Sequence, residues 1–299
     1  MKTVLGYIKD YYNQSDKWLL VLVTFFTGAL VFLNYRYGLE KCIGEFDFTI
    51  KLFSWFVVFM VAYVLPCLFT QLRKRQVPFF QPRFLLLLLA GPLIFAFKIS
   101  FHPTFRFSDD SNWNQYWNHI VYWPVLAVFL ISAIWMIWKT GPRDQPFYGF
   151  SSRGLDWRPY GLMLLIMLPL LLIAAAQPDF QAVYPKIQSL GPLYNEGKLS
   201  GWQILLYELS YGIDFLSIET FFRGFLILAF VRYMGMNAIL PMACFYCSIH
   251  FGKPLGECIS SYFGGLLLGI VVYNTRSIYG GLLVHLGIAW LMELLGMIN

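Results

Sequence analysis

The sequence predicts an all-α, polytopic integral membrane protein with about eight or nine transmembrane helices. Three observations predict it. Hydrophobic residues fill 58% of the 299 positions and charged residues only 13%, well outside soluble averages. The apolar residues gather in runs close to the roughly 20 that a bilayer-crossing helix needs. Those runs are separated by short segments holding most of the Pro, Gly and charge, and such residues punctuate helices.

Taken in order, Met1 to Lys17 alternates charged and aromatic residues and lacks a small-residue cleavage site, so it reads as an amphipathic surface helix. A first span, Trp18 to Leu33, ends in the interfacial girdle Asn34-Tyr35-Arg36-Tyr37. A second covers Leu52 to Thr70, with Pro66 as a candidate kink, and leads to the basic run Arg73-Lys74-Arg75. The third, Phe84 to Phe97, is short and holds Gly91-Pro92. A wet loop follows, Ser108-Asp109-Asp110-Ser111-Asn112, with Trp113, Tyr116 and Trp117 leading to a fourth span from Ile120 to Trp138. The Pro- and base-rich stretch from Lys139 to Tyr160 is the clearest linker. It separates residues 1–160, the N-terminal helices and linker, from a core at residues 161–299 within one membrane unit. That core begins with a span from Gly161 to Ala176 and a polar loop from Gln177 to Ser200. Trp202 then opens a long helix containing Glu208, Asp214 and Glu219. Further spans run from Asn237 to His250, Glu257 to Tyr273 and Ser277 to Leu295.

The net charge of +6 carries no nucleic-acid motif, so basic loops account for it. Lys2, Lys9, Lys17, Arg73, Lys74, Arg75, Arg83, Lys139, Arg143, Arg153 and Arg158 fall on one side. They outnumber Arg36, Lys41, Lys51, Lys98, Arg106, Lys186 and Lys198 on the other, which predicts a cytoplasmic N-terminus. Of five cysteines, Cys244 and Cys247 have C-x-x-C spacing, but no second pair completes a zinc set. The partners expected are membrane lipid and a peptide or protein substrate, not nucleic acid.

Chemistry concentrates near the C-terminus. Glu219 and Arg223 share one helix face within Ile218-Glu219-Thr220-Phe221-Phe222-Arg223-Gly224, and His250 and His285 follow on later helices. A charged group at the centre of a membrane helix costs about 2.5–3.5 kcal/mol on insertion scales, so such residues mark function by default. A carboxylate and two imidazoles from three helices can polarise a water, with Glu219 as base and a histidine as partner or oxyanion stabiliser. The same donors suit a divalent metal such as zinc, although nothing in the pattern requires one. The plain alternative is an intrahelical Glu219–Arg223 ion pair that lets both charges sit in lipid. His102 and His119 flank the wet loop and read as surface residues.

Glu219-Thr220-Phe221-Phe222-Arg223-Gly224, Tyr246-Cys247-Ser248-Ile249-His250 and His285-Leu286-Gly287-Ile288-Ala289 resemble the CPBP intramembrane proteases. That family includes CAAX-prenyl endopeptidases and bacteriocin-processing and immunity proteins. Its pattern is E-E-x-x-x-R, F-x-x-x-H and H-x-x-x-N/D on separate helices. The resemblance covers about the last third of the chain, from Trp202 to Leu295. It implies a glutamate-dependent endopeptidase cutting in or beside the membrane, with Glu219, Arg223, His250 and His285 as site residues. Three positions depart from the pattern. Ile218 stands where the family has its first glutamate, the one assigned the catalytic water. Tyr246 replaces the aromatic Phe, and Ala289 the Asn or Asp. Asp214, four residues before Ile218, and Glu293, four after Ala289, are compensating carboxylates on the same helix faces. A shifted carboxylate keeps the enzyme. Without one, the resemblance implies a non-catalytic scaffold or immunity-type binding protein.

Overall fold

A computed structural model describes residues 4–74, 77–142, 146–152 and 155–298. Lys2, Arg75, Arg143 and Arg153, which enter the charge bias, lie outside the described residues. The chain folds as α1 (Val4–Gln14), α2 (Lys17–Tyr37), α3 (Leu39–Gly44), α4 (Phe48–Lys74), α5 (Pro82–Ser100), α6 (Ser111–Lys139) and α7 (Arg158–Ala175). Two one-turn helices follow, α8 (Pro178–Gln181) and α9 (Pro192–Asn195). Next comes α10 (Gly201–Glu219), which continues as a π-helix over Thr220–Ala229. The remainder is α11 (Val231–Met234), α12 (Ile239–Ser248), α13 (Leu255–Thr275) and α14 (Tyr279–Ile298). No strand occurs among the described residues. Among the described residues eight segments are long and apolar enough to cross a membrane, so the protein is a multi-pass, all-α membrane protein.

Local chemistry explains the boundaries. The Asp16 carboxylate accepts from the Trp18 and Leu19 amides at 3.0 and 3.2 Å and starts α2. Gly38, in the left-handed region at φ 65°, ends it. Asp110 starts α6 in the same way, through the Asn112 and Trp113 amides. Trp113 to His119 is therefore helix, so this helix begins well before the span read from Ile120. The first loop is also more helical than its polarity suggests. It contains α3, and α4 begins at Phe48, four residues before the apolar run. Pro66 and Pro92 lie inside continuous helices, within the spans read from the sequence.

The segment from Gly201 to Ser248 is 48 residues long, too long to cross once as a straight helix at about 1.5 Å per residue. It reverses. Gly235 takes φ 55° after α11, and α12 returns far enough that the Tyr246 ring lies 4.0 Å from the Arg223 guanidinium. This hairpin is wedged by aromatic packing. Phe59 of α4 and Phe95 of α5 meet Phe245 and Phe221 at centroid distances of 4.8 and 5.0 Å. Phe222 meets Phe245 at 5.3 Å. In lipid such van der Waals contacts, not water exclusion, hold helices together, and each aromatic pair adds about 0.5–1.5 kcal/mol. They fix the rotation of the motif helix, putting Phe221 and Phe222 toward α4 and α5 and leaving Ile218 and Arg223 to line a cavity.

Candidate active site

Glu219 lies in the last turn of α10 with no solvent exposure. Its Oε1 accepts from His285 Nδ1 of α14 at 2.8 Å and sits 3.2 Å from Arg223 Nη1. The second contact is an ion pair without hydrogen-bond geometry, since Arg223 Nε and Nη1 make no hydrogen bond within the protein. The guanidinium rests on the Tyr246 ring, a cation–π contact between desolvated groups. The carboxylate approaches α14 at Gly281, where an added Cβ would come within 2.7 Å of Glu219 Oε2. Glycine there is what admits the glutamate between the helices.

Both histidines are held through Nδ1. His250 Nδ1 lies 2.9 Å from the Tyr246 carbonyl oxygen, an obligate acceptor, so Nδ1 carries the proton and Nε2 the lone pair. The Glu219 carboxylate fixes the same tautomer in His285, whose Nε2 accepts from the Tyr246 hydroxyl at 3.0 Å. Tyr246 thus stands between two imidazoles, with ring centroids 4.7 Å from His250 and 5.9 Å from His285. Phe215 packs edge-on against His285 at 4.8 Å and limits its rotation.

Arg223, Tyr246, His250 and His285 line a cavity of about 1020 Å³. Apolar side chains of α7 and α13, among them Leu162, Ile166, Phe263 and Leu267, form its long walls. Val4, Leu5 and Ile8 of α1 close part of one end. Glu219 is not on the wall, but Ile218 is.

The sequence-predicted residues therefore separate into two groups. Glu219, Arg223, His250 and His285 come together, although only the last three reach the cavity. Asp214 also lines it, with its Oδ1 2.6 Å from Lys98 Nζ. Glu293 does not join them. It is buried against the loop before α10, where its Oε2 accepts from the Lys186 amide at 2.7 Å. The C-x-x-C spacing pairs nothing, since Cys247 Sγ lies 4.0 Å from Cys258 Sγ instead. Among the described residues no three His, Cys, Asp or Glu side chains form a metal-holding group.

Two participants escaped the sequence reading. Lys98 counted there as a loop base, yet α5 runs on to Ser100 and buries it. Tyr246 stood only for a motif aromatic, and its hydroxyl was the available signal. Comparison with known proteins finds a family match over the motif segment. Residues 200–291 match the type II CAAX prenyl endopeptidase Rce1-like family. No curated protein and no solved structure matches the chain. The matched segment runs from the start of α10 through most of α14, and so contains every motif residue. Its departures from the family pattern lie on the cavity wall, where Ile218 and Ala289 present apolar surface and Tyr246 a hydroxyl.

Proposed function

We propose that this chain is an intramembrane endopeptidase that cleaves a peptide bond near the membrane surface by activating a water with histidine. The observation that carries this reading is the pair of imidazoles. Each is pinned at Nδ1 by a fixed acceptor, and both line one cavity beside an arginine with unspent donors. In the proposed mechanism Glu219, walled off from the cavity, holds His285 through Nδ1 and so orients its Nε2 toward the Tyr246 hydroxyl, as a buried carboxylate does for a catalytic histidine. His250 Nε2 takes the proton from a water whose oxygen attacks the scissile carbonyl. The carbonyl oxygen, now an oxyanion, receives hydrogen bonds from Arg223 and from the Tyr246 hydroxyl, which turns its one proton from His285 Nε2 to the oxyanion. On collapse the C–N bond breaks, and His250 returns its proton to the departing amine. The apolar walls suit a substrate carrying a lipid or isoprenoid group, as the name of the matching family indicates for its members.

One observation favours a second reading, a peptide-binding relative that no longer cuts. Ile218 presents a hydrocarbon side chain to the cavity at the position of the first family glutamate. Protein in liposomes, offered a library of prenylated and unprenylated membrane-proximal peptides, separates the two. The protease reading expects cleavage that falls about 100-fold or more in His250→Ala and His285→Ala. It expects a smaller loss in Asp214→Asn, whose carboxylate is held by Lys98. Cleavage appearing only after Ile218→Glu would establish the binding reading.

A further inference from the structure

A second cavity, of about 460 Å³, lies at the end of the bundle where α5 begins and α6 and α13 end. Its walls come from chain segments that end or begin there. Arg83 lies in the first turn of α5, Arg232 in the last turn of α11, and Arg276 caps α13 in the left-handed conformation at φ 57°. Three guanidinium groups thus line one basin, and none of its described lining residues is Asp or Glu. Arg83 is held in place, and among the described residues no carboxylate pairs with it. Its Nη1 donates to Thr140 Oγ1 at 2.8 Å and its Nη2 to the Ile137 carbonyl at 2.6 Å. Gly141 makes room for it, since a Cβ there would lie 2.7 Å from Nη2. Arg232 and Arg276 are exposed and lean toward the rings of Tyr233 and Tyr273, at 5.9 and 5.1 Å. Neither forms an ion pair among the described residues.

Like charges gathered in a basin repel one another unless an anion joins them. Depth and surroundings indicate which anion. Trp138, Tyr148 and Tyr233 line the same basin, and Trp and Tyr are the side chains of the membrane–water interface. Beyond Arg83, α5 exposes Leu85, Leu86 and Leu89, an apolar surface on which acyl chains can lie. Planar guanidinium forks match phosphate oxygens, and basic pockets between helices at this depth hold anionic lipid headgroups. We infer that Arg83, Arg232 and Arg276 form a phosphate-binding site that takes the phosphodiester headgroup of an anionic membrane lipid. The site is separate from the proposed protease centre, because none of its arginines lines the motif cavity.

The test uses the full chain, purified in neutral detergent and titrated in native mass spectrometry with phosphatidylglycerol, phosphatidylcholine or glycerol 3-phosphate. The expected result is one retained phosphatidylglycerol per chain and no comparable retention of phosphatidylcholine. Affinity should fall about fivefold for each arginine removed, hence about 25-fold in Arg232→Gln/Arg276→Gln. Arg36→Gln/Arg106→Gln, on the opposite face, should bind as the unaltered protein does. If the double variant melts early without lipid, the single variant Arg276→Gln carries the test with its fivefold loss. Equal binding of phosphatidylglycerol by unaltered and variant proteins would overturn the site, as would equal retention of phosphatidylcholine. Glycerol 3-phosphate binding as tightly as phosphatidylglycerol would overturn the lipid as its occupant.

Discussion

Gly281→Ala tests the link between the buried glutamate and the cavity without touching an ionisable group. The new Cβ would stand 2.7 Å from Glu219 Oε2, against about 3.4 Å for an ordinary contact, so one partner must retreat by about 0.7 Å. The carboxylate is the side that moves, because Gly281 sits on the backbone of α14. A retreat of that size stretches the 2.8 Å bond to His285 Nδ1 to the edge of hydrogen bonding and releases the imidazole from its fixed orientation. Misplacing a catalytic group by this order costs about 10- to 100-fold, and the loss should fall on kcat with KM nearly unchanged. Overpacking should also lower stability by about 1–3 kcal/mol. Cleavage rates in liposomes are therefore compared at temperatures where both proteins remain folded. Gly28→Ala, with open space around the added Cβ, serves as the control and should leave both quantities alone. A Gly281→Ala protein with full kcat would refute the argument that Glu219 acts by holding His285.

Two further outcomes are expected. Tyr246→Phe keeps the ring under Arg223 but removes the hydroxyl that bonds His285 Nε2, so peptide binding should persist while kcat falls by about 100-fold; equal cleavage by the two proteins would remove Tyr246 from the reaction. In the loop before α10, burial, and after it the Lys253 ammonium, push Lys186 down to about 7 from its usual 10.5. Below pH 7 the folded and unfolded forms both carry that proton and the cost of burying the charge is full; from pH 7 toward 10.5 the folded form sheds it first, so stability rises with pH. Lys186→Met should melt higher than the unaltered protein at pH 7 and lose this rise, and identical melting curves across that range would count against the assignment.

Much of the fold is legible in the sequence because lipid imposes a strict rule. Every backbone polar group in the bilayer must be satisfied within its own helix, so apolar runs translate almost directly into spans. The errors fall where polar side chains extend a helix beyond its apolar run. Asp110 begins α6 well before Ile120, and α5 continues past Phe97 to bury Lys98. Hydropathy registers neither event. The site was partly legible for a related reason: Glu219, Arg223 and His285 are conspicuous in apolar surroundings. Their division of labour was not. Adjacent helix positions point about 100° apart, so Ile218 reaches the cavity while Glu219 turns away from it, and only the packing around Phe221 and Phe222 selects between the two.

The sequence by itself determined that the chain crosses the membrane many times, which segments cross, and which few polar residues must be accommodated inside. Those properties depend on composition and on spacing along single helices, where each residue's cost in lipid is its own. Tertiary structure alone decided that Glu219 and His285, 66 positions apart, share a hydrogen bond, that Asp214 belongs to Lys98, and that Glu293 is drawn to the Lys186 amide. It also decided that three arginines from separate segments face one basin. The physical reason is that helix rotation and the reversal at Gly235 are set by contacts between helices, such as Gly281 against Glu219 and Arg223 against Tyr246. Those contacts are properties of pairs of surfaces, and no single helix encodes them.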